Sequence, residues 1–90
     1  MAKVIIPTPL RKYTNQHRTF DTQADNLSDA LQAFVDEYPD VEENLLDDNG
    51  NIRSYIKLYI GDEKVSPNEN GTIAIDNDTE VSIVPAIAGG

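Results

Sequence analysis

Residues 80–85 carry Val81, Ile83 and Val84 in near-continuous succession, and the run stops at Pro85 before Ala86-Ile87-Ala88-Gly89-Gly90. A strand this apolar needs neighbours on both edges, which predicts a central place in a sheet. Proline closes the pairing because it has no N–H to donate. The chain is therefore expected to leave its sheet from the middle, with five residues that reach about 17 Å at ~3.3–3.6 Å each. Without a Cβ on Gly89 or Gly90, such an end can carry its α-carboxylate into a channel too narrow for any side chain.

The upstream residues supply the neighbours. Residues 3–6 form a β-branched stretch ended by Pro7 and Pro9, and residues 18–20 return as its hairpin partner. The loop between them holds Arg11, Lys12 and Tyr13. Asp25 or Asn26 serves as an N-cap, and Leu27, Leu31, Phe34 and Tyr38 recur at helical spacing up to Pro39. Residues 41–46 suit a short helical turn, and Asp47-Asp48-Asn49-Gly50-Asn51 is a strong turn cluster. Residues 52–60 alternate, with Ile56, Leu58 and Ile60 on one face and Tyr55, Lys57 and Tyr59 on the other, which predicts a half-buried strand. Gly61-Asp62 turns the chain, Pro67 and Asn70-Gly71 punctuate a loop, and Ile73-Ala74-Ile75 is the remaining short apolar segment.

Strand, strand, helix, strand, short strand, strand gives an α+β chain: a mixed sheet of four to five strands packed on one main helix. That order fits a β-grasp (ubiquitin-like) arrangement, with the last strand beside the first. The domain is expected to span residues 1–85 and the tail residues 86–90.

Ninety residues make one domain with a single modest core. The absence of cysteine removes disulfides, thiolate nucleophiles and cysteine-based metal sites, and fits a reducing cytoplasm. The apolar run near Met1 is too short for a signal-peptide core, and no stretch approaches the ~20 apolar residues of a membrane span. The expectation is a soluble, cytoplasmic protein with no membrane partner. Sixteen acidic against seven basic residues give a net charge of −9, which repels nucleic acid and favours a partner with a basic docking face.

Residues 78–90, Asp-Thr-Glu-Val-Ser-Ile-Val-Pro-Ala-Ile-Ala-Gly-Gly, are similar to the acidic turn, hydrophobic strand, proline and small-residue tail of the ubiquitin-like sulfur carriers. Leu27-Ser28-Asp29-Ala30-Leu31, Tyr38-Pro39, Leu45-Leu46-Asp47 and residues 52–63 extend the resemblance over most of the chain. That family includes the small subunit of molybdopterin synthase, the thiamine-pathway carrier and the cysteine-biosynthesis carrier. The chain most resembles the cysteine type, through its long acidic segment between helix and third strand and its Pro-Ala-Ile-Ala-Gly-Gly end. Lys57 departs from the pattern, standing where a polar uncharged residue such as asparagine is expected.

The resemblance implies that an adenylating enzyme of the ubiquitin-activating kind, which holds the ATP and magnesium, activates the Gly90 carboxylate. Sulfur then replaces the adenylate, leaving a terminal thiocarboxylate, an anionic soft nucleophile. The carrier is a substrate and not an enzyme, with no catalytic residue and no bound cofactor. In the cysteine route a pyridoxal-phosphate cysteine synthase accepts the sulfur, and a metallopeptidase releases the product. Gly89 and Ala88 thread the tail, and Pro85 ends the strand before it. The same activation precedes conjugation of Gly90 to lysines of other proteins, so a ubiquitin-like modifier is the alternative from another class.

Tyr55, Lys57 and Tyr59 share a face opposite the helix-covered side and are candidates for partner docking, since aromatic residues bury large area while keeping a polar tip. Asp47, Asn49 and Asn51 imitate the opening of a calcium loop, but Ile52 and Leu58 stand where glycine and glutamate belong. Asn26, Asn70 and Asn77 begin acceptor tripeptides for glycosylation, yet read as cap and turn residues. His17, the only histidine, has no second imidazole or thiol to make a metal site, and no metal is expected.

Overall fold

A computed structural model describes residues 1–66 and 73–85, so Asn70 and the tail residues Ala88, Gly89 and Gly90 lie outside the described residues. Among the described residues five strands form one sheet: β1 (Ala2–Ile5), β2 (Thr19–Thr22), β3 (Ile56–Ile60), β4 (Glu63–Val65) and β5 (Glu80–Pro85). Their spatial order is β2-β1-β5-β3-β4. Only β1 and β5 run parallel; the other three pairings are antiparallel. The last strand thus lies in the centre beside the first, and the α+β, β-grasp expectation holds.

Between β1 and β2 the chain makes a 3-10 helix, Thr8–Tyr13, started by the proline-fixed backbone at Pro9. The hairpin then closes through Asn15 and Gln16, both at positive φ (56° and 67°). Buried Thr14 ties this corner, its hydroxyl lying 3.2 and 3.0 Å from the carbonyls of Arg11 and His17. The main helix α1 (Leu27–Glu37) opens at Asn26, whose side-chain oxygen accepts the Asp29 N–H at 2.8 Å. Such a cap satisfies one of the donors that a helix start leaves free. After Tyr38, a 3-10 turn (Pro39–Val41) and the single-turn α2 (Glu42–Leu45) carry the chain to the sheet's far end.

Alternation along the strands puts Val4, Leu58, Val81 and Ile83 under α1, where they meet Leu27, Leu31 and Phe34. Phe34 is fully buried and lies 5.6 Å from the Phe20 ring and 5.8 Å from the Tyr38 ring, centroid to centroid. Burying each such side chain contributes on the order of 1.5–3 kcal/mol. No buried side-chain nitrogen or oxygen among the described residues lacks a hydrogen-bond partner.

Two elements differ from expectation. The strand predicted over residues 52–60 begins only at Ile56, because the Ile56 N–H donates to the Arg53 carbonyl at 2.9 Å and turns the chain there. Ile52 is buried instead by bridging to Leu46. The short strand expected at residues 73–75 is Glu63–Val65, laid back on β3 by the turn at Gly61 (φ 60°). Ile73 and Ile75 serve the helix start: the Ile73 carbonyl accepts the Leu27 N–H at 2.7 Å, and the Ile75 N–H donates to Asp25 at 3.0 Å.

Candidate functional site: the end of the central strand and the open sheet face

The central strand is anchored at its start. The Asp76 carboxylate accepts the Asp78 N–H at 2.9 Å and the Thr79 hydroxyl at 3.0 Å, closing the turn ahead of β5. Those two hydrogen bonds, the backbone one first, hold its carboxyl below the ordinary aspartate range. The Thr79 and Glu80 carbonyls accept from Lys3 (2.9 Å) and Gly61 (3.0 Å), so β1 and β3 clamp β5 from both sides. Pairing runs without a break to Pro85 opposite Ile56, where the described part of the chain ends.

With α1 on one side, no helix or strand among the described residues covers the other, open face of the sheet. Thr19, Ile5, Ser82, Tyr59 and Lys64 form one row across all five strands, and Val84 stands beside Lys57 in the next. Val84 is 45 % exposed, uncommon for a valine in a central strand. The charges on this face are Lys3, Lys57 and Lys64 against Asp21 and Glu80, so the face is slightly positive on a chain of −9. Lys3 and Asp21 pair at 3.8 Å, both substantially exposed, which contributes little to stability.

Of the residues expected to dock partners, Lys57 and Tyr59 do share the open face. Tyr55 lies apart in the turn before β3, its hydroxyl 3.5 Å from the Asn44 carbonyl oxygen. There it lines a cleft of about 250 Å³ with Pro9, Lys12, Tyr13, Asn44 and Pro85. Pro9, Lys12 and Tyr13 escape a reading of the sequence because four separate segments build this cleft. The one available signal was the Pro7-x-Pro9 pair, which marks a structured corner.

The remaining constellations are occupied by structure. The Asp47 carboxylate accepts the N–H groups of Asn49 (2.9 Å) and Asn51 (3.0 Å), closing a turn. His17 is exposed, with Nδ1 3.1 Å from the Tyr38 hydroxyl. Among the described residues no group of three or more side chains is placed to hold a metal ion, and no helix is long and apolar enough to cross a membrane.

Comparison with known proteins matches this arrangement. The ThiS family model covers residues 4–90. The sulfur carrier protein CysO of Mycobacterium tuberculosis (strain ATCC 25618 / H37Rv) is 30% identical over 89 residues, covering 97% of this chain and 96% of that protein. The crystal structure of Mycobacterium tuberculosis CysO superposes with a TM-score of 0.80 at 27% identity, covering 97% of this chain and 100% of that one. A chain in the crystal structure of the Amycolatopsis orientalis BexX/CysO complex superposes with a TM-score of 0.83 at 21% identity, covering both chains completely, and supports the fold. A β-grasp sheet with its last strand in the centre, together with a family match over nearly the whole length, means that the chain belongs to the ThiS family.

Proposed function

We propose that this chain is a sulfur carrier, a protein substrate whose Gly90 carboxylate is adenylated and then converted to a thiocarboxylate. The observation that carries this reading is the reach of the family match through residues 86–90, beyond a β5 that stops at Pro85 in the middle of the sheet. The order of steps follows from chemistry. A carboxylate is a poor electrophile, so its oxygen first attacks the α-phosphorus of ATP and expels pyrophosphate. A sulfur donor then displaces AMP, and the resulting thiocarboxylate attacks an activated acceptor. ATP and magnesium belong to the adenylating enzyme. Gly90 is the reacting residue; Gly89 and Ala88 keep the tail slim enough to thread, and Pro85 releases it from pairing. The resemblance of the Pro85-to-Gly90 segment to the cysteine type favours an acceptor such as a pyridoxal-phosphate cysteine synthase.

Intact mass tests the proposal. Incubation with the adenylating enzyme of the same organism, ATP, magnesium and a sulfide source is expected to add the increment of one oxygen-to-sulfur exchange at Gly90. An unchanged mass in the presence of active enzyme overturns it, and lysine-linked conjugates in place of the thiocarboxylate favour a modifier.

Lys57 and Tyr59, beside exposed Val84, form the docking surface on the open face. Tyr59→Ala is expected to weaken binding to the adenylating enzyme about tenfold in a titration, the cost of removing a central aromatic anchor. An unchanged affinity makes this face ordinary surface.

A further inference from the structure

The cleft beside Pro85 has a composition of its own. Pro9, Tyr13, Tyr55 and Pro85 give it apolar walls, and Lys12 is the one charged residue among those lining it. The Lys12 ammonium sits 5.1 Å from the Tyr13 ring centroid, and no carboxylate among the described residues pairs with it. Tyr55 keeps 44 % of its surface exposed.

We infer that this cleft is a second docking point for the adenylating enzyme, taking one apolar side chain of that enzyme between Tyr13 and Tyr55 while an enzyme carboxylate meets Lys12. The inference rests on the sulfur-carrier reading above. Five residues follow Pro85. Their reach of about 17 Å obliges any enzyme that takes the Gly90 carboxylate to bring the mouth of its site close to Pro85. The cleft walls include Pro85 itself, so they face that mouth.

Size and charge define the occupant. About 250 Å³ accommodates a single aliphatic or aromatic side chain. It is too small for a helix, which is ~10 Å across. A chain of −9 draws a basic enzyme surface towards it, and a cation beside Pro85 with no carboxylate partner among the described residues rewards one carboxylate at one position. Such a contact sets register more than bulk affinity, because only the correctly placed enzyme satisfies both Lys12 and the apolar walls.

The test is ATP–pyrophosphate exchange by the adenylating enzyme of the same organism, with carrier concentration varied. Lys12→Glu and Tyr55→Ala are each expected to raise the KM for the carrier about tenfold or more, with kcat and the carrier's melting temperature unchanged. Lys12→Arg and Tyr55→Phe, which keep the charge and the wall, should stay close to the parent. Raising salt should increase the parent's KM and affect Lys12→Glu less. Unchanged KM values for Lys12→Glu and Tyr55→Ala overturn the inference while the parent's own exchange leaves the sulfur-carrier reading standing. A lowered KM for Tyr55→Ala overturns it too, since the cleft would then be holding this chain's own residues back. If the parent supports no exchange with active enzyme, both fall together.

Discussion

A chain lacking Gly89 and Gly90 is expected to melt at the same temperature as the full chain and to form no thiocarboxylate at all. Among the described residues the pairings of β5 with β1 and β3 reach Ser82 and Pro85, and the core residues of that strand are Val81 and Ile83, so the expected stability rests upstream of the two glycines. The chemistry, by contrast, is lost because the shortened chain carries its carboxylate on Ala88, two residues or about 7 Å short of the position that Gly90 reaches. Gly89→Leu and Gly90→Leu separate length from slimness, because each keeps the carboxylate at its full reach while adding bulk to the thread. A displacement of the reacting atoms by ~1 Å costs about 100-fold in rate, so each substitution should slow exchange by at least that factor at unchanged melting temperature. Intact mass reads the first result, pyrophosphate exchange the second. Rescue of a carrier-deficient strain by the shortened chain would remove the tail from the mechanism.

The central place of the last strand was legible in the sequence, because Val81, Ile83 and Val84 form a near-continuous apolar run that demands neighbours on both edges. The stripe Leu27, Leu31, Phe34 and Tyr38 was equally plain, since a single helix must cover one whole sheet face and so presents a broad apolar side. β4 was hidden for the opposite reason. Among the described residues Glu63-Lys64-Val65 pairs with β3 alone and places little in the core, so nothing in its pattern marks a strand. Ile73 and Ile75 carry the stronger β signal, yet the structure spends their backbone groups on the start of α1. The alternation from Ile52 to Ile60 concealed a break at Arg53, because a turn and a strand can both set apolar residues two apart while only one forms a ladder.

The candidate site divides along the same line. Tyr59 and Lys57 follow from alternation, which assigns faces from sequence. The cleft around Pro85 does not, because Tyr13, Asn44 and Tyr55 approach it from segments whose relative placement is a tertiary fact. Tyr55 shows the difference: alternation puts it beside Lys57, and the turn at Arg53 carries it to the tail's exit instead.

Phe34→Ala is expected to lower stability by about 3–5 kcal/mol, the range for emptying a buried aromatic site. The position leaves little room for collapse. Phe34 is fully buried, with the Phe20 and Tyr38 rings packed on it and contacting each other at 6.1 Å, so they already restrain one another. A domain of 90 residues holds roughly 5–13 kcal/mol in all at 0.05–0.15 kcal/mol per residue, so the loss is a large fraction of the total. At about 4–8 °C per kcal/mol, the melting temperature should drop by some 12–40 °C. Phe34→Leu, which keeps most of the volume, should cost less than about half as much. Because Phe34 is out of any partner's reach, KM and kcat in pyrophosphate exchange should match the parent at a temperature where the variant is still folded. They should fail only as the unfolded fraction grows. Thermal unfolding followed by circular dichroism, paired with exchange at low temperature, checks both halves. A loss below about 1 kcal/mol would mean that the aromatic cluster does not hold α1 on the sheet. A raised KM in the folded variant would mean that the helix side communicates with the docking face, which the packing described here gives no reason to expect.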